Sequence, residues 1–120
     1  MRRLLAVLAL VLGLSGALAA CAVGEEAGVG PDAVIIDVRT PAEYDEGHLE
    51  GAVNIDVSAS DFDERMSQLD PDGEYFVYCR TGNRSAQAAE RMEDLGFGDV
   101  TDLGSFGEAQ EATGIPVVTG

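Results

Sequence analysis

The sequence predicts an α/β fold: a mostly parallel sheet of four or five strands with helices on both faces. Three observations support this. Short apolar runs rich in β-branched and aromatic residues recur at 33–38 (AVIIDV), 51–57 (GAVNIDV), 75–79 (YFVYC) and 99–103 (DVTDL). Stretches with helical spacing and recognisable start and stop residues lie between them. The run AVIIDV is continuous and does not alternate, which suits a strand buried on both faces of a parallel sheet. Strands that alternate with helices in this way build doubly wound sheets, and ligands then sit beyond the carboxyl ends of the strands.

The elements follow in order. Residues 1–20 carry Arg2 and Arg3, an apolar run from Leu4 to Leu14, and small residues thereafter. This is the layout of a signal peptide. A retained membrane anchor is the competing reading, but the apolar run to Ala20 is short of the roughly 20 residues a spanning helix needs. Residues 21–32 are small, polar and glycine-rich, as expected of a flexible tether. Residues 33–120 form the folded domain. After the strand 33–38, Thr40 and Pro41 open a short helix, with Glu43 near its positive end and Gly47 as its stop. Strand 51–57 follows. Ser58 or Ser60 is placed to cap the next helix, on which Phe62, Met66 and Leu69 form one apolar stripe. DPDGE (70–74) is a turn. Beyond strand 75–79, Ser85 to Leu95 reads as a helix with Ala88, Ala89, Met92 and Leu95 on one side and Gly96 as its stop. Strand 99–103, a helix from Ser105 to Thr113 and GIPVV complete the chain.

Charge narrows the partners. The chain has 22 acidic residues against seven arginines and no lysine. Loss of residues 1–20 would remove two of those arginines and none of the acids. Such a surface repels nucleic acid and anionic head groups. An anionic substrate would need a local positive pocket, and Arg80 and Arg84 are the arginine pair close in sequence, beside Cys79. LAAC (18–21) resembles a bacterial lipobox. That resemblance implies a diacylglycerol on Cys21, cleavage before it, and an exported, extracytoplasmic protein held to a bacterial cell membrane by lipid. One acyl chain anchors only marginally, and a lipoprotein cysteine supplies more than one. An ordinary cleaved signal is the alternative. With Cys21 lipidated, the second cysteine, Cys79, has no partner in the chain, so its thiol is available for other use.

CRTGNRS (79–85) carries the candidate chemistry. A loop from a strand end into a helix start can turn successive N–H groups inward as an anion nest. Gly82 permits positive φ. Arg80 and Arg84 add charge, and Arg84, which leads into the helix mouth, is the better-placed ligand of the two. A thiol so placed drops below the usual pKa of about 8.5, and the thiolate is the nucleophile. The alternative for Cys79 is a buried core thiol. The chemistry requires a side chain that is both ionised and reachable.

From about Ala33 to Val118 the chain resembles the rhodanese-like (sulfurtransferase) domain. VIIDVRTPAEYDEGHLEGAVNI matches the family's amino-terminal signature, with Asp37, Arg39, Glu43, Tyr44, Gly47, His48, Gly51, Ala52 and Asn54 in place. YCRTGNRS matches its active-site loop, and GIPVV its closing segment. The resemblance implies that Cys79 takes the outer sulfur of a small anionic donor such as thiosulfate. A persulfide forms and passes its sulfur to a thiol or to cyanide. It implies that Arg80, Thr81, Gly82, Asn83, Arg84 and Ser85 bind the donor and the bound sulfur, and it requires no cofactor. Related cysteine phosphatases hold one more residue between cysteine and arginine, which leaves this cradle short for phosphate. A persulfide carrier that serves a protein acceptor without turning over small molecules is the alternative function. Two departures stand out: many members carry a further strand and helix before DVR, and the glycine pair and tryptophan of the last helix are absent. The tether could supply a fifth strand.

Asp37 and Arg39 are expected to brace strand ends as an ion pair. His48 is expected to be a hydrogen-bonded structural residue. With one histidine and one free cysteine, a metal site lacks ligands. DFDE and DPDGE lack calcium-loop spacing and read as a solvated face and a turn.

Overall fold

The computed structural model describes residues 28–120. The expected signal peptide, Cys21 and most of the expected tether lie outside the described residues. The elements run β1 (Val34–Asp37), α1 (Pro41–Glu46), β2 (His48–Leu49), β3 (Val53–Asn54), α2 (Phe62–Met66), β4 (Tyr75–Tyr78), α3 (Asn83–Asp94), β5 (Val100–Gly104), α4 (Phe106–Thr113) and β6 (Val117–Val118). The main sheet has four strands in the order β3-β1-β4-β5, all parallel. β2 and β6 form a separate antiparallel pair. Among the described residues the tether adds no fifth strand. Its last part turns instead, with Ala33 N–H donating to Gly30 O, and lays Val29 on the core.

The registers align one edge. Asn54, Asp37, Tyr78 and Gly104 stand in a row across the four strands. The residues that follow Asp37, Tyr78 and Gly104 are Val38, Cys79 and Ser105, so the segments leaving these strands emerge together at the carboxyl edge.

Both faces of the sheet are covered, which explains the unbroken apolar runs. Ile36, Val38, Val77 and Cys79 face a cluster built with Phe62 and Met66 of α2 and Ala88 and Met92 of α3. Ile35, Phe76 and Tyr78 face the other way, against Leu49, Ala109 of α4 and the half-buried Tyr44 of α1 and Phe106. Strand side chains alternate between faces, so two central strands fill both clusters.

Four local expectations are corrected. Strand 51–57 shortens to Val53–Asn54, because Gly51 turns at φ +88° and Ala52 N–H donates back to Leu49 O. Ile55 and Val57 then follow the edge by single bonds to Asp37 O and Val38 O. Neither Ser58 nor Ser60 caps α2; Asp61 stands at that position without a side-chain bond. α3 begins at Asn83, two residues before Ser85, because Gly82 turns the chain at φ +104°. Leu95 does not complete the stripe: it is 40 % exposed, and Phe97 is buried edge-on to Tyr75 in its place.

Phe62 is fully buried, with the Arg91 guanidinium 4.7 Å from its ring. Phe62→Ala is therefore expected to lower stability by about 3–5 kcal/mol, the cost of emptying an aromatic site in a close-packed core. Urea denaturation would show this as a lower midpoint at an unchanged slope.

Candidate active site

Cys79 follows β4 directly. Its N–H donates to Gly104 O at 3.0 Å, which extends the sheet by one bond. The chain then loops through Arg80, Thr81 and Gly82 into α3. This loop is clamped from the β5–α4 junction. Thr81 bridges Ser105, and Phe106 N–H donates to Arg80 O. Gly104 at φ +87° makes that junction possible, a left-handed backbone that any other side chain would strain. Ser105 and Glu108 form a capping box that starts α4 at the clamp.

The loop wraps the sulfur. Gly82 N–H donates to Sγ at 2.9 Å, and Ser85 Oγ lies 3.5 Å away. Ser85 is fully buried, and its hydroxyl also lies within reach of Gly82 O and Gly104 O. Burial pushes the Cys79 thiol up. Hydrogen bonds from the Ser85 hydroxyl and from the N–H groups of Ser85, Gly82 and Thr81 outweigh it, so the net shift is downward. The predicted amide nest is thus present, and a thiolate fits it.

The expectation of a reachable thiol is not met in this closed arrangement. Cys79 has no exposed surface. It nonetheless lies just under the surface: Arg80 and Thr81 are exposed, and Gly82, which touches Sγ, is half-buried. Arg80 turns outward, with its side chain 70 % exposed. Arg84 turns toward α1, where its Nη1 and Nη2 meet Glu43 Oε1 and Oε2 at 2.9 and 3.1 Å. The bidentate Arg84 bond is the main cause that lowers the Glu43 carboxyl to about 2. Asn83 is exposed at the start of α3.

Asp37 and Arg39 form the expected brace. Both are buried, with Nη2 2.6 Å from Oδ2 and Nε 2.9 Å from Oδ1. Arg39 Nη2 also donates to Gly47 O, and its guanidinium lies 4.5 Å from the Phe106 ring. His48 is buried, stacked on Tyr44, with Nδ1 2.8 Å from Tyr44 O. Beside the loop opens a cavity of about 330 Å³ lined in part by Arg80, Glu43, Glu46, Phe106 and Val117. Among the described residues no cluster of histidine, cysteine and carboxylates could hold a metal ion.

The spacing Thr40-x-x-Glu43 marks a capping box, and the structure forms it. Nothing in the local pattern, however, connects Glu43 with Arg84, 41 positions away. Gly104 and Ser105, the clamp on the loop, likewise show no chemical signature in the sequence.

The structure is an α/β protein with a parallel sheet and one amide-cradled cysteine at its carboxyl edge, where the ligands of such sheets sit. The chain belongs to the rhodanese-like domain family, whose model matches residues 25–111. A sulfurtransferase of Allochromatium vinosum is 33% identical over 87 residues, which cover 72% of this chain and 79% of that protein. The thiosulfate sulfurtransferase PspE of Escherichia coli is 37% identical over 73 residues, 59% of this chain and 68% of that protein. Other relatives are longer, and the chain spans 19% of one of them. A structure of a rhodanese with anions from E. coli superposes with a TM-score of 0.61 at 30% identity, covering 73% of this chain and 99% of that one. The fold is therefore rhodanese-like.

A lowered thiol pKa means that the thiolate persists to lower pH than in a free cysteine. Alkylation at Cys79, followed by peptide mapping, is expected to reach half its maximal rate at a lower pH than a free cysteine does. Ser85→Ala removes a bond that favours the thiolate and should move that midpoint upward.

Proposed function

We propose that the protein is a sulfurtransferase that carries a sulfane sulfur as a persulfide on Cys79. The donor is of the thiosulfate type, and the acceptor is a thiol or cyanide. The observation that carries this reading is the set of N–H groups and the Ser85 hydroxyl converging on one buried sulfur atom. Relatives with sulfurtransferase names support sulfur transfer in general.

The reaction is two displacements. The Cys79 thiolate attacks the outer sulfur of the donor. The donor's S–S bond breaks, and its electron pair leaves with sulfite. Cys79 keeps the sulfur as a persulfide anion, which the N–H groups of Thr81, Gly82 and Ser85 stabilise as they do the thiolate. An acceptor then attacks the terminal sulfur and restores the thiolate. Arg80, exposed beside the loop, meets the anionic donor first. Arg84 holds the start of α3 through Glu43, and Asn83 stands at the same rim. The loop from 80 to 82 must yield for a donor to touch Sγ, because the thiol is covered.

That coverage favours a second reading, a persulfide carrier that exchanges sulfur only with a protein partner whose docking opens the loop. Intact mass after thiosulfate treatment tests both. The wild type is expected to gain one sulfur on Cys79, and Cys79→Ala none. Rapid thiosulfate-to-cyanide turnover by the wild type identifies the enzyme. A stable persulfide with negligible turnover identifies the carrier. No added sulfur from any donor sinks both.

From LAAC at 18–21 we also propose lipid anchoring through Cys21 at an extracytoplasmic membrane face. Cys21→Ala is expected to move the protein from the membrane fraction to the soluble or unprocessed pool. Intact mass showing no lipid on residue 21 of the wild type would overturn the anchor.

A further inference from the structure

Charged side chains meet at the mouth of the loop in an arrangement that the transfer reaction alone does not require. Glu43 takes both terminal nitrogens of Arg84, and Arg80 Nη1 stands 3.9 Å from its Oε2. The cavity beside the loop is lined by Arg80 and by two carboxylates, Glu43 and Glu46, with Phe106 and Val117 as apolar wall. Arg39, the remaining cation at this cavity, is committed to Asp37 and Gly47 O. Two of the three guanidinium groups around the cavity and the loop are thus held in bidentate pairs with carboxylates. The third is largely in water and faces Glu43. A small dianion would come beside the Glu46 carboxylate and find one cation, Arg80, outside a bidentate pair, because Glu43 withholds Arg84.

We propose that Glu43, assisted by Glu46, determines donor specificity, setting the mouth against small dianions and in favour of amino-acid persulfides. An amino-acid persulfide carries an ammonium group for Glu46, a carboxylate for Arg80 and an aliphatic portion for Phe106 and Val117. The cavity, about 330 Å³, is of small-molecule size. The inference rests on the reading of Cys79 as the sulfur acceptor. In this step the Cys79 thiolate attacks the outer sulfur of R–S–SH, the donor S–S bond breaks, and its electron pair leaves with R–S⁻. The new Cys79 persulfide passes its proton to that thiolate, so the products are R–SH and the persulfide anion.

Glu43→Gln isolates the charge, because glutamine in the third helical position still completes a capping box with Thr40. Sulfur loading on Cys79 of the full chain is followed by intact mass, with thiosulfate and cysteine persulfide as the two probes. In Glu43→Gln, the second-order rate constant for loading from thiosulfate is expected to rise about threefold to fivefold, the upper scale of one partly exposed ion pair. The value for cysteine persulfide should stay level or fall. Glu46→Gln leaves the Arg84 pair intact and should shift the same ratio in the same direction by about twofold to threefold. Circular dichroism checks that each variant is folded, and if Glu43→Gln is not, Glu46→Gln decides alone. A donor ratio that stays within experimental error in the folded variants, or moves toward cysteine persulfide, overturns the specificity role while leaving sulfur transfer in place. Failure of every donor to load wild-type Cys79 overturns the transfer reading and this one together.

Discussion

The buried pair of Asp37 and Arg39 is the contact from which the rest of the site is assembled. Two charges removed from water persist only if every donor and acceptor is matched, because breaking one partner of such a pair costs about 3–5 kcal/mol. Here the matching groups come from different elements. Arg39 N–H and guanidinium both bond to Asp37, and Gly47 at the end of α1 takes the guanidinium as well. Asn54 of β3 donates to the backbone carbonyls of both residues. Phe106, the first residue of α4, lies against the guanidinium. One ion pair thus fixes the ends of β1, β3, α1 and α4 relative to each other.

The loop around the sulfur is positioned by the next residues along. Thr40 follows Arg39 and caps α1, and that cap orients Glu43 at the helix's third position. Glu43 then reaches Arg84 at the start of α3. On the opposite side, Ser105 precedes Phe106 and bridges Thr81. The loop is therefore held at both shoulders by residues adjacent to the brace. Preorganised amides need this support, because their stabilisation of a developing anion depends on not having to reorient.

Much of this is legible in the linear chain, for identifiable reasons. Central strands buried on both faces lose polar alternation, so β1 and β4 stand out as continuous apolar runs. Cys79 stands out because that run ends abruptly in arginine and glycine. The brace is legible because Asp37 and Arg39 are two residues apart on a strand end, close enough for one side chain to reach the other. Edge elements are less legible. β3 keeps only two residues in register because the turn at Gly51 and the single bonds of Ile55 and Val57 replace a ladder, and no apolar pattern reports that. Leu95 has the right spacing for the core of α3, yet the helix ends there and Phe97 fills the space. The Glu43–Arg84 contact joins positions too distant for any local pattern. It changes what the two arginines mean: one is a tie, and one is available.

The closed cover over Cys79 has a chemical cost and a chemical benefit. A low-pKa thiolate is also the form that peroxides convert to sulfenic and then irreversibly to sulfinic acid. With no exposed surface, the sulfur is shielded from such an oxidant in the closed arrangement. Under the function proposed above, the cover that slows a donor's entry also lengthens the working life of the thiolate.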